Sequence, residues 1–137
     1  MIKIAVDAMG GDNAPGEIVK GAVDAVTERK DITVCLTGQK DVIEKELSKY
    51  TYKIEQIEIV DAPEVIETGE PPVNAIRKKK NSSLVVGLNL VKNGEADGFV
   101  SAGSSGAVLV GGQVMKEMKG KANPAQVSEI IHRLVQE

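Results

Sequence analysis

Two short stretches hold the residues best placed to do chemistry. Gly10-Gly11-Asp12 follows an apolar run that ends in Asp7, and Ser101-Ala102-Gly103-Ser104-Ser105-Gly106 follows Gly98-Phe99-Val100. Glycine lacks Cβ and tolerates positive φ, so the first turn can bring backbone N–H groups close to an anion. In the second, small residues lead from a strand into a helix start. Unpaired N–H groups and the positive end of the helix dipole gather there, which suits phosphate or an oxyanion. Each stretch also has a purely structural use. Gly10-Gly11 can be an ordinary strand-to-helix connection, and Ser104 or Ser105 can simply cap the helix. Asp7 and Asp12 can serve in catalysis, in metal binding or as helix caps. No His or Cys stands near them to complete a ligand set, so no metal is expected.

Other motifs are narrower. The Lys-Ser/Thr ending of a nucleotide-binding loop is missing after residue 106, and so is the Gly-x-Ser-x-Gly of an esterase elbow. Arg77-Lys78-Lys79-Lys80-Asn81-Ser82-Ser83 is the one dense basic cluster. It reads either as a solvated helix end with cations near the negative dipole end, or as a contact for phosphate or an acidic partner. Cys35 falls mid-strand, where burial rather than nucleophilic chemistry is expected. His132 lies on a terminal helix beside Ile131 and forms no Ser-His pair.

These residues need a scaffold, and the hydrophobic pattern supplies one. Residues 2–6, 32–36, 54–60 and 98–100 read as strands, short and rich in β-branched side chains. Between them run helices over about 15–28, with Ile18, Ala22, Val23, Ala25 and Val26 inward, and over 41–50, with Val42, Ile43 and Leu47 inward. A loop with three prolines spans 61–72. A short helix follows over 73–80, then one capped by Ser82 or Ser83 that stops near Asn93-Gly94. Strands alternating with helices imply a three-layer α/β/α domain with a mainly parallel sheet. In such sheets, ligands bind at the carboxyl ends of the strands. The turns at 10–12 and 101–106 both follow strands, so they are expected at one edge. Gly120-Lys121-Ala122 should break the last helix, and Asn123 and Pro124 should start a terminal one. That helix carries Val127, Ile130, Ile131, Leu134 and Val135 on one face. It is expected to dock on the body or to form a homodimer.

Composition excludes several classes. The chain has 137 residues, of which 42% are hydrophobic and 27% charged, as in a globular domain. Aromatics are 2%, so Ala, Val, Ile, Leu and Met must build the core. A net charge of −3 argues against general nucleic-acid binding. One cysteine rules out an internal disulfide, and a cytoplasmic location is expected. No apolar run approaches the ~18 residues of a membrane span.

Four stretches taken together resemble the bacterial phosphate acyltransferase of phospholipid synthesis. They are Ala5-Val6-Asp7-Ala8-Met9-Gly10-Gly11-Asp12, Glu64-Val65-Ile66-Glu67, Arg77-Lys78-Lys79-Lys80-Asn81-Ser82-Ser83 and Ser101-Ala102-Gly103. They stand in the family's order and spacing over residues 1 to about 111. The resemblance implies an isocitrate dehydrogenase-like α/β fold. It also implies transfer of a long-chain acyl group from acyl carrier protein to inorganic phosphate, giving acyl phosphate without a cofactor. The substrate and phosphate site would then comprise Asp7, Gly10, Gly11, Asp12, Asn13, Ser101, Gly103, Ser104, Ser105 and Gly106. Arg77, Lys78, Lys79, Lys80, Ser82 and Ser83 would meet the acidic carrier protein. Peripheral membrane association is a further expectation, and no general acid or base is identified.

The chain departs from the family pattern in three ways. Asn13 stands where the family usually has His after Gly-Gly-Asp. Ser104-Ser105 stand where it usually has Asn-Thr. The family chain also continues well beyond this length. From Gly112 through Pro124 the sequence instead resembles the C-terminal tail of the aspartyl/glutamyl-tRNA amidotransferase B subunit. The expected division is therefore an acyltransferase-like domain over 1–111 and a helical tail over 112–137. The alternative function is a non-catalytic truncated or chimeric α/β fragment with an anion-binding turn.

Overall fold

The computed structural model describes the backbone of residues 1–67 and 69–119, and their side chains up to residue 112. The elements run β1 (Ile2–Asp7), α1 (Gly16–Glu28), β2 (Ile32–Gly38), α2 (Lys40–Leu47), β3 (Ile57–Asp61), α3 (Pro72–Lys78), α4 (Ser83–Lys92), β4 (Gly98–Val100) and α5 (Ser105–Lys119). The four strands form one parallel sheet in the order β3-β2-β1-β4.

Strand periodicity divides the core into two layers. On one face, Ile32, Val34 and Leu36 of β2 meet Val19, Val23 and Val26 of α1 and Ile43 and Leu47 of α2. On the other, Ala5, Cys35 and Phe99 meet Ala96 and Leu90. There α3, α4 and α5 share a second cluster of Ala75, Leu84, Leu88 and Ala107. The three-layer expectation is met, with every strand parallel. β2 is central and covered on both faces, so all seven of its residues are buried.

The structure differs locally from the hydrophobic pattern. Residues 54–56 form a 3-10 turn rather than the start of a strand, and β3 begins at Ile57. Gln56 explains the shift: its buried amide donates to the carbonyls of Arg29 (2.8 Å) and Ile32 (3.0 Å), which needs a turn rather than an extended chain. Ile54 is left outside at 81% exposure. In α1 the fully buried side chain is Val19, while Ile18 sits at the rim. The helices expected over 41–50 and 73–80 are shorter, ending at Leu47 and Lys78. Of the two serines before α4, Ser82 is the cap, its hydroxyl accepting from Val85 N–H at 3.2 Å. The break near 120 and the terminal helix lie outside the described residues.

The chain leaves β1 and β2 through α1 and α2 on one face. It leaves β3 and β4 through α3, α4 and α5 on the other. Two adjacent strand pairs, β2/β3 and β1/β4, therefore send their connections to opposite faces. Crevices open at such places, beyond the carboxyl ends.

Candidate anion site at the β1/β4 junction

Strand register brings the two turns together. β1 and β4 pair Val6 with Val100, so the next residues, Asp7 and Ser101, emerge side by side. The Ser101 hydroxyl donates to Asp7 Oδ2 at 2.8 Å and accepts from Gly103 N–H at 3.0 Å. The other Asp7 oxygen accepts from Met9 N–H at 3.1 Å. Asp7 is only 2% exposed, so its carboxylate is held by donors from both turns rather than by water. This half-buried tie, spanning 94 residues of sequence, locks the two turns to each other.

Contact between the turns is backbone on backbone. A Cβ on Gly10 would lie 2.6 Å from Asp7 Oδ2 and 2.9 Å from Gly103 N. Gly11 has φ +102° and sits against Ala102, with 3.1 Å from a Cβ position to the Ala102 carbonyl oxygen. Glycine is required at both, at Gly10 by space and at Gly11 by conformation.

α5 starts over this junction. Ser104, which is buried, caps it by accepting from Ala107 N–H at 3.2 Å. The structural use of Ser104 is therefore real, and it leaves the next two groups open. The N–H groups of Ser105 and Gly106 find no acceptor among the described residues. A cleft of about 390 Å³ lies beside this helix start, lined by Ser101, Ala102, Gly103, Ser105, Val108 and Leu109, with neither Gly106 nor the 10–13 turn in its lining. Asp12 and Asn13 are exposed beyond Gly11. The site thus offers two N–H donors at a positive helix end beside a buried carboxylate and the half-buried hydroxyl it holds, an arrangement suited to an oxyanion.

The basic cluster is split by the fold. Lys79 is a structural cation, donating to the Val65 carbonyl at 2.7 Å and to Glu70 at 2.8 Å. It holds the Glu70 carboxyl below the usual carboxylate range, helped by the Glu67 N–H. Ser82 and Ser83 are buried at the start of α4, where the Ser83 carbonyl accepts from Thr37 Oγ1 at 2.8 Å. Arg77, Lys78 and Lys80 face solvent.

Other groups are silent. Cys35 is buried beside Glu58, at 3.3 Å, and its thiol is pushed up to about 11, by burial first and by Glu58 second. No three His, Cys, Asp or Glu side chains are placed to hold a metal ion among the described residues. A larger cavity of about 650 Å³ lies between α2 and β3, with Leu47, Tyr50, Tyr52 and Ile57 in its wall. Neither glycine turn nor the start of α5 contributes to its lining. Among the described residues, no helix is long and apolar enough to cross a membrane.

Comparison with known proteins agrees with the motifs. A family model described as "Fatty acid synthesis protein" matches residues 2–130. The chain belongs to this family. It is 51% identical over 125 residues to the phosphate acyltransferase of Clostridium botulinum (strain Alaska E43 / Type E3), covering 90% of this chain and 38% of that protein. It is 56% identical over 108 residues to that of Clostridium kluyveri (strain NBRC 12016), covering 79% and 32%. For Clostridioides difficile (strain 630) the figures are 49% over 130 residues, 94% and 38%. The chain spans little more than a third of the relatives it matches. The family match continues past residue 111 into the stretch that resembles the amidotransferase tail. α5 likewise runs through 111–112 without interruption.

What sequence reasoning missed is the tie itself. The two motifs present Asp7 and Ser101 as separate ligands of an anion. Strand order, which turns them into a bonded pair, is not written in either motif.

Proposed function

We propose that the β1/β4 crevice is the phosphate- and thioester-binding part of an acyltransferase that moves a long-chain acyl group from acyl carrier protein to inorganic phosphate. One observation carries this reading: the Asp7–Ser101 tie fuses two glycine turns beneath the open N-terminus of α5. Family membership and the names of the relatives supply the reaction class.

In this reading the N–H groups of Ser105 and Gly106 hold a phosphate oxygen, and the 10–12 turn faces the thioester carbonyl. A phosphate oxygen attacks the carbonyl carbon, and the new C–O bond forms as the C–S bond breaks. The thiolate leaves on the carrier and takes up the proton released by phosphate. N–H groups aimed at the developing oxyanion lower the barrier without reorganisation. Asp7 is a positioning residue, because it holds Ser101 and the turn rather than the substrate. Asp12 and Asn13 flank the mouth. Arg77, Lys78 and Lys80 offer positive charge to an acidic carrier protein, which favours encounter. No cofactor enters, and the acyl carrier protein, peripheral membrane contact, cytoplasmic location and homodimer all belong to this proposal.

A second reading is a non-catalytic unit that binds anions only, which the open N–H groups at the start of α5 and the cleft beside them would suffice for. Formation of acyl phosphate from a long-chain acyl-carrier protein and phosphate separates the two. The acyltransferase reading expects product above the blank. It also expects more from Asn13→His, since Asn cannot carry a proton as His does. No product from either form establishes the second reading.

A further inference from the structure

The first turn of α5 holds a glycine that its backbone conformation does not call for. Among the described glycines, positive φ is confined to Gly11, Gly38 and Gly94, so Gly106 has a backbone that any residue can adopt. Glycine also disfavours a helix. Space is the reason for it. A Cβ on Gly106 would lie 2.7 Å from Pro72 Cγ and 3.5 Å from Pro72 Cβ. The proline ring is stiff and cannot swing aside as a long side chain would. The Gly106 N–H is one of the two open donors at the candidate site, so whatever holds Pro72 in place also places a donor.

Pro72 is the first residue of α3, a helix of seven residues. A helix that short does not stand alone in water. Two supports hold this one. Its inner face joins the core of the α4 layer, with Ala75 buried among Ile66, Leu84 and Ala107, and Ile76 packed against them. Ile76 Cδ1 also lies 3.3 Å from the Cβ position of Gly111, so α3 meets α5 at Gly106 and again at Gly111.

The second support is a clasp. Lys79 follows α3, and its ammonium donates to the Val65 carbonyl at 2.7 Å and to Glu70 Oε2 at 2.8 Å. The same Glu70 oxygen accepts from the Glu67 N–H at 2.6 Å. An exposed ion pair contributes little by itself. Here the pair closes a ring with two backbone groups through charge-assisted bonds, and Glu70 stands two residues before Pro72. The clasp ties the chain that enters α3 to the chain that leaves it.

We propose that the Glu70–Lys79 clasp and Pro72 are a positioning device for the anion site: the clasp seats Pro72 in the notch at Gly106, and the notch sets where the N–H groups of Ser105 and Gly106 point. Lys79 and Pro72 act through α5 and do not touch the anion. The effect on binding rests on the proposed phosphate site, whereas the seating of α5 can be read without a ligand.

Hydrogen exchange and phosphate titration of the whole chain test this together. The N–H groups of Ala107 and Val108, bonded to Ser104 Oγ and to the Ser104 carbonyl, report how α5 is seated. The Ile43 N–H, bonded to the Gln39 carbonyl at the start of α2, is the control. Gly106→Ala forces the clash and should speed exchange at Ala107 and Val108 about fivefold, with Ile43 unchanged. Pro72→Ala alone empties the notch and should speed it too. Together the two substitutions restore a contact, because the Cβ positions stand 3.5 Å apart, and exchange should return to within about twofold of the parent. Lys79→Met should speed the same amides, and Lys79→Arg, which keeps the donors, should not. Affinity for inorganic phosphate should follow the same order, about fivefold weaker in Gly106→Ala and Lys79→Met and near the parent value in the double variant and Lys79→Arg. Unchanged exchange in Gly106→Ala or Lys79→Met, equal acceleration at Ile43, or a double variant no better than Gly106→Ala would each overturn the inference. A parent chain that does not bind phosphate contradicts the proposed function instead, and the exchange rates then decide the positioning claim alone.

Discussion

The fold makes two junctions of the same kind, and only one is left open. At β2/β3 the chain closes its own crevice. Asp61 accepts from the Lys40 N–H at 3.1 Å at the start of α2, and Gln39 Nε2 donates to the Pro63 carbonyl at 3.2 Å. The Ala62 N–H completes the seam by donating to the Gly38 carbonyl at 2.8 Å. At β1/β4 the corresponding carboxylate, Asp7, is turned inward to Ser101 and Met9, so the start of α5 keeps open donors. Topology creates both crevices, and the direction of one aspartate at each decides which can accept an external anion.

The largest effect should come from forcing the open junction apart. Gly10→Val places methyl groups where Gly103 and Asp7 already sit. Overpacking of this kind costs about 3 kcal/mol. Urea unfolding should show that loss, and amide spectra should show the Ser101–Asp7 tie broken. The same substitution at Gly21, which has open space around it, should cost far less. Equal losses at the two positions would remove the packing argument.

A smaller change should convert the closed junction into an open one. Asp61→Ala removes the carboxylate at the start of α2, at a cost of about 1 kcal/mol. It should also create phosphate-dependent shifts at the amides of Lys40 and Asp41 that the parent chain lacks. If phosphate ignores the opened helix end, an uncapped N-terminus is not sufficient for binding, and the comparison fails.

The smallest effect lies away from both junctions. The Cys35 thiol is raised from about 9 to about 11, chiefly by burial. A raised folded value means that the neutral thiol adds stability below pH 9, and that this contribution fades as pH climbs towards 11. The melting-temperature gap between the parent and Cys35→Ala should be constant from pH 6 to 8.5 and narrow above pH 9. Alkylation of native protein at pH 8 should be slow.

Much of this was readable from residue types. β-branched runs marked β1 and β2 because their alternation meets helices on both faces. Pro15 and Ser82 marked helix starts because few residues suit those positions. Ile54 misled, because a lone apolar residue in an alternating pattern is indistinguishable from a strand until Gln56 is seen to turn inward. Phe99 against Gly87 was invisible, since contact between a strand ring and a helix glycine depends on tertiary packing. The basic run was legible as charge. Its division into a structural Lys79 and exposed Arg77, Lys78 and Lys80 needed the loop that folds over it.

Phosphate titration followed by backbone amide shifts tests the central claim most directly. The account predicts saturable shifts at Ser105 and Gly106, smaller ones at Gly11 and Gly103, and none at Lys40 or Asp41. Shifts confined to exposed lysines, or no saturable change at residues 101–107, would contradict it.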